Sequence, residues 1–159
     1  QGPPPARPEA PGVKRSPRVF LDASVWIAAA GSPTGGSALV LAWCRQGHAK
    51  PVGSRRVLLE AERNIRDKLG EEVLLRFYRE LAALDLELVE PPTPQEIAAQ
   101  SQIISPKDAH VLAAGLKART DILLTLDRKH FLTPSVLKAN LPFQIMTPGD
   151  FLRRLVISG

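Results

Sequence analysis

From Arg18 onward, short apolar runs alternate with longer stretches of helical period, and this alternation constrains the fold of the 159-residue chain more than any other feature. The runs Val19-Phe20-Leu21, Ala49 to Val52, Leu86 to Val89, Ile122-Leu123-Leu124 and Phe143-Gln144-Ile145 are of strand length. Helical periods fall between and after them, at about 24–30, 35–46, 54–69, 71–83, 94–102, 106–118 and 147–155. Strands joined through helices pair in parallel, so an α/β fold with a five-stranded parallel sheet is expected. Three helix starts carry the same device, a hydroxyl residue, a proline and then an acid: Thr93-Pro94-Gln95-Glu96, Ser105-Pro106-Lys107-Asp108 and Thr147-Pro148-Gly149-Asp150. The last of these opens a helix expected to turn Phe151, Leu152 and Leu155 inward. No internal repeat recurs at a fixed period, which excludes a solenoid.

Composition narrows the class. With 44% hydrophobic and 23% charged residues the chain reads as a single globular domain. No apolar run approaches the roughly 18 residues of a membrane span. Cys44 is the single cysteine, so no internal disulfide exists, and a reduced, cytoplasmic location is the expectation. One thiol and three irregularly spaced histidines (His48, His110, His130) offer no recognisable metal-ligand spacing, and His110 reads as a packed or capping residue. The net charge is +5, unevenly placed: residues 1–18 hold Arg7, Lys14, Arg15 and Arg18 against Glu9 alone. Residues 1–17, with six prolines, read as a disordered tail in which Gln1 and Gly2 look like a tag scar; 18–155 form the domain and 156–159 a C-terminal tail.

In an open parallel sheet ligands bind beyond the carboxyl ends of the strands. Asp22 ends the first run, Asp127 lies just past the fourth, Asp108 opens the helix that feeds it, and Glu60 sits in the helix after the second. Each has a plainer reading. Asp22 and Asp108 can cap helices, Asp127 can be a turn acid, and Glu60 can belong to a solvated flank beside the stripe Val57, Leu58, Ala61, Ile65 and Leu69, with Glu62 on the other flank. Taken jointly they carry more. Clustered carboxylates raise one another's pKa and persist at neutral pH when a cation sits among them. Oxygen donors alone indicate Mg²⁺ or Mn²⁺, and two such ions about 3.5–4 Å apart suit phosphodiester hydrolysis.

The fragments Val-Phe-Leu-Asp22-Ala-Ser-Val-Trp, Ser54 with Glu60 six positions later, Lys-Asp108-Ala-His-Val-Leu-Ala-Ala and Leu-Leu-Thr125-Leu-Asp127-Arg-Lys-His-Phe resemble the PIN domain family in order and spacing. The closing Ile-Met-Thr-Pro-Gly-Asp-Phe-Leu-Arg-Arg-Leu is similar to the end of bacterial PIN domains, so the resemblance covers about residues 18–155. It implies a three-layer α/β/α sandwich around the parallel sheet and a metal-dependent endoribonuclease, often the toxin of a toxin–antitoxin pair of the VapC type. By resemblance, Asp22, Glu60, Asp108 and Asp127 form the acidic quartet and Thr125 is the hydroxyl residue two before the last acid. Glu60 is preferred to Glu62 because Arg63 and Ile65 then follow at three and five positions.

On this footing Asp22 and Asp108 flank a primary ion, Asp127 completes its shell, and Glu60 ligates a second ion or orients the attacking water. Ser24 and Thr125 are expected to fix the carboxylates by hydrogen bonds. Arg56, Arg63 and Asn64 share a helix side with Glu60, and they, with Arg128 and Lys129 beside Asp127, are the candidate RNA contacts. Trp26, Ile27, Ala28 to Ala30, Leu39, Leu41 and Trp43 offer more apolar surface than one sheet face covers, which suggests a homodimer or an antitoxin groove. The alternative function is a catalytically silent PIN-fold module that binds RNA or protein. Other α/β enzymes fit less well: Ser24 stands where a haloacid dehalogenase-like phosphatase needs a second Asp, and no Gly-rich turn or Gly-x-Ser-x-Gly elbow follows the first strand.

Overall fold

The computed structural model describes residues 15–158. In chain order the elements are β1 (Arg18–Leu21), α1 (Ala23–Gly31), α2 (Gly36–Arg45), β2 (Lys50–Gly53), α3 (Arg55–Lys68), α4 (Glu71–Ala82), β3 (Glu87–Leu88), α5 (Pro94–Gln100), α6 (Ala109–Lys117), β4 (Ile122–Leu124), α7 (Arg128–Phe131), α8 (Pro134–Leu137), β5 (Gln144–Met146) and α9 (Pro148–Ser158). The strands form one sheet in the order β3-β2-β1-β4-β5, with every pairing parallel. The chain is a three-layer α/β/α sandwich. Strand order reverses beside β1, whose two neighbours are β2 and β4, so the crevice beyond the ends of β1 and β4 is the ligand position of such a sheet.

The central strands are apolar because both of their faces are covered. Val19, Phe20, Leu21, Val52, Leu123 and Leu124 are fully buried, and Phe20 lies opposite Val52 on one side and Leu123 on the other. Pro51 stands in an interior strand without an N–H to give. The β3 pairing begins only at Val52, opposite Glu87, so the missing donor falls where no partner stands. Lys50 N donates to Pro17 O at 2.8 Å, so the last residue assigned to the tail already runs alongside the sheet. Residues 1–14 of that expected tail lie outside the described residues.

Four expectations are corrected. Trp26 is buried and meets Phe77 of α4 edge-on, with ring centroids 6.1 Å apart. With Ala29, Ala30 and Leu41 also buried, most of the apolar surface assigned to self-association is used inside the subunit, while Leu39 stays exposed. Leu69 is exposed, because it is the C-cap of α3 and lies past the buried stripe Val57, Ala61, Ile65. The segment 105–108 forms turns, and α6 starts only at Ala109 with Asp108 at its N-cap. Two short helices, α7 and α8, occupy the stretch between β4 and β5 where no helix was expected. The device at Thr93 forms in full: Thr93 Oγ1 accepts from Glu96 N at 3.1 Å, and the Glu96 carboxylate accepts from Thr93 N at 2.8 Å. Thr147 Oγ1 accepts from Asp150 N at 3.1 Å, and α9 runs on to Ser158. Among the described residues no single helix is long and apolar enough to cross a membrane.

Candidate metal and active centre

The centre is built around the adjacent ends of β1 and β4. Asp22 follows directly on Leu21, and its N–H donates to Leu124 O at 3.0 Å, so its backbone continues the β1–β4 ladder. It stands at the N-cap of α1 but makes no side-chain capping bond. Thr125 Oγ1 donates to Asp22 Oδ2 at 2.8 Å, and Ser24 Oγ donates to the same oxygen at 3.1 Å. The two hydroxyls also accept from the following loop: Ser24 Oγ from Leu126 N at 3.0 Å and Thr125 Oγ1 from Asp127 N at 3.0 Å. One pair of hydroxyls thus orients the first acid and the backbone that presents the last.

Burial pushes the Asp22 carboxyl above its ordinary pKa, the hydrogen bond from Thr125 opposes that, and the charge of Asp108 adds to it. Glu60, half-buried on α3, is also raised, by burial first and then by the charges of Asp22 and Asp108; the cations Arg63 and Arg56 act the other way. Glu60 is therefore the α3 acid that faces the other carboxylates. Glu62, on the opposite flank, accepts from Tyr78 Oη at 2.6 Å and is tied to α4 instead. Ser54 caps α3 by accepting from Val57 N at 3.1 Å, which fixes where the helix begins and hence where Glu60 points.

Asp108 and Asp127 meet from two different elements. Ser105 Oγ donates to Asp108 Oδ2 at 3.0 Å, a use of that hydroxyl quite different from the capping bond expected of it. Asp127 caps α7 by accepting from His130 N at 3.1 Å, and the His130 ring places Nδ1 2.9 and 2.8 Å from its two carboxylate oxygens. One ligand atom from each of Asp108, Asp127 and His130 lies within 4.8 Å of the others. His130, which its sequence spacing left outside any candidate cluster, thus lies beside two of the four acids. It sits three residues after Asp127, one helical turn on, and that Asp-x-x-His spacing was the available signal. His110 is buried inside α6, and burial together with the Arg56 charge pushes it down to about 4, against Asp108, so it is neutral at pH 7. Cys44 is buried and its thiol is pushed up to about 12.

Among the described residues no Lys or Arg forms a salt bridge with Asp22, Glu60, Asp108 or Asp127. Arg56 and Arg63 are exposed on the α3 side of the centre. Asn64 spends its amide on the Glu60 carbonyl, donating at 2.9 Å. Arg128 lies 3.7 Å from Asp150. Lys129 lines a shallow groove with His130, Ile103, Ser105 and Thr133.

A family model described as PIN domain matches residues 18–129, more than half of the chain. The chain belongs to the PIN domain family. No curated protein gives a significant match. Among solved structures, the domain is similar to VapBC2 from Rickettsia felis bound to a DNA fragment from their promoter (14% identity, 81% of this chain and 98% of that one, TM-score 0.60). It is also similar to PAE2754 from Pyrobaculum aerophilum (16% identity, 89% of this chain and 97% of that one, TM-score 0.59). At such identities the likeness is one of fold. The match to the family model spans all four acids of this PIN domain.

Proposed function

We propose that this PIN domain is a divalent-metal-dependent endoribonuclease that hydrolyses RNA phosphodiester bonds. The observation that carries the reading is the buried Asp22 carboxylate at the strand-order reversal, oriented by Thr125 and Ser24 and unmatched by any salt bridge among the described residues, with the charge of Asp108 raising its pKa and the charges of both raising that of Glu60. Anions gathered without cationic side chains are costly unless a cation from solution joins them, and the carboxylate donors fit Mg²⁺ or Mn²⁺. Asp22, Asp108 and Asp127 would hold the first ion, and Glu60 would ligate a second. When bound, such ions neutralise phosphate charge and make water a stronger nucleophile.

This chain's own residues do the rest. Glu60, with its affinity for protons raised, accepts a proton from the attacking water. Thr125 and Ser24 keep Asp22 aimed, and Ser105 does the same for Asp108. Arg56 and Arg63 hold the RNA backbone beside the cleaved bond, with Asn64, Arg128 and Lys129 extending the track. The finer part of the reading is a toxin role restrained by an antitoxin protein; co-purification of the chain with the product of its neighbouring gene, and loss of cleavage in that complex, is the expected result.

The test is cleavage of a mixed RNA pool by the whole chain. EDTA should abolish it, Mg²⁺ or Mn²⁺ should restore it, and Asp22→Asn and Asp108→Asn should lose it while keeping the wild-type circular dichroism spectrum. Metal-independent cleavage, or full cleavage by Asp22→Asn, overturns the proposal; RNA binding with no cleavage under any metal makes the domain a binding module.

A further inference from the structure

The Asp127–His130 contact has two physical readings. In one, the imidazole simply donates a hydrogen bond that aims the carboxylate. In the other, the ring nitrogen is itself a metal donor. Both Asp127 oxygens lie 2.8–2.9 Å from Nδ1. Adjacent donors on an octahedral ion with bonds of 2.0–2.1 Å are about 3 Å apart, so the pair is already spaced as neighbouring ligands. Asp108, at the N-cap of α6, supplies a third atom within 4.8 Å of these. The ring is part-exposed on a four-residue helix, so ligation needs no rearrangement of the core.

We propose that His130 joins Asp108 and Asp127 as a direct ligand of the divalent ion, giving the centre a nitrogen donor and a preference for Mn²⁺ over Mg²⁺. The inference rests on the reading of those two acids as metal ligands. Its chemistry is that of the donor set: Mg²⁺ keeps to oxygen, whereas imidazole suits first-row transition metals. Ligation uses the lone pair of an unprotonated Nδ1: a neutral ring carries its one proton on Nε2, and a charged ring releases its Nδ1 proton to solvent as metal binds.

Pulsed electron paramagnetic resonance of the full chain loaded with Mn²⁺ reads the claim directly, without RNA and without cleavage. The expected result is a ¹⁴N coupling of a bound imidazole in the wild type that vanishes in His130→Gln. In calorimetric titrations of the same proteins, His130→Gln should weaken Mn²⁺ binding by about tenfold or more and Mg²⁺ binding by less than about threefold. Mn²⁺ bound without ¹⁴N coupling, or equal losses for the two ions, overturns the inference and leaves His130 as a residue that positions Asp127, with the acidic centre intact. No Mn²⁺ binding at all, joined to metal-independent behaviour of the RNA pool, removes the inference together with the reading beneath it.

Discussion

Two hydroxyl groups decide the geometry of the centre. Ser24 and Thr125 each give one proton to Asp22 and each accept a backbone N–H from the loop that carries Asp127. Replacing Thr125 by Val removes both bonds at nearly constant volume, and a loss of about 10–100-fold in metal affinity or cleavage is expected, with Thr125→Ser keeping most of both. Asp22→Asn makes a contrasting case. Because burial raises the Asp22 pKa, the folded protein holds its proton more tightly than the unfolded chain does, and ionisation costs stability as pH rises through the ordinary value toward the raised one. The metal-free variant should therefore melt above metal-free wild type at neutral pH, even as cleavage falls by at least about a hundredfold. A lower melting temperature for Asp22→Asn would place the stabilising part of this carboxylate above its desolvation cost.

At the scale of elements, legibility followed the strength of the local signal. The Thr93 capping box was readable because all of its atoms come from four consecutive residues, and it forms as read. Thr93→Ala should cost about 1 kcal/mol in denaturant unfolding without altering the candidate centre, some distance along the chain. The same pattern at Ser105 misled: Ser105 gives its proton to the Asp108 side chain three residues on, and the helix begins later, at Ala109. That bond is local too, but nothing in the residue pattern tells it apart from a capping bond. The short α7 was invisible for a related reason. Four residues give no period to detect, yet this turn is what brings His130 back beside Asp127. Glu60 and Glu62 flank one stripe on α3 and helical period alone does not tell them apart; the spacing to Arg63 and Ile65 favours Glu60, and α4 claims Glu62 through Tyr78. The order of strands, by contrast, needs long-range pairing that apolar runs cannot specify.

Across the whole molecule, the two ends of the sheet differ in chemistry. At the amino end Arg18 bonds Ala118 O, pairs with Glu87 at 3.1 and 2.5 Å, and receives Asp121 on its backbone N–H, so charges there are matched. At the carboxyl end the acids of the centre go without salt-bridge partners of Lys or Arg among the described residues, and a buried neutral His110 lies next to them in sequence. Since His110 titrates at about 4 when folded and near 6.5 when free, the unfolded chain gains protons that the folded one refuses as pH falls across that window. The EDTA-treated wild type should lose stability relative to His110→Gln between about pH 6.5 and 4, a difference read from paired thermal melts. A gap independent of pH would mean that the imidazole is charged in the folded state. The bonds that aim Asp22 also lace β1 to the loop after β4, across the seam where the middle strand of the sheet meets its neighbour. The candidate cleft is thereby tied to the body around it: on heating, loss of any metal-dependent cleavage and cooperative melting should arrive together, as a single event.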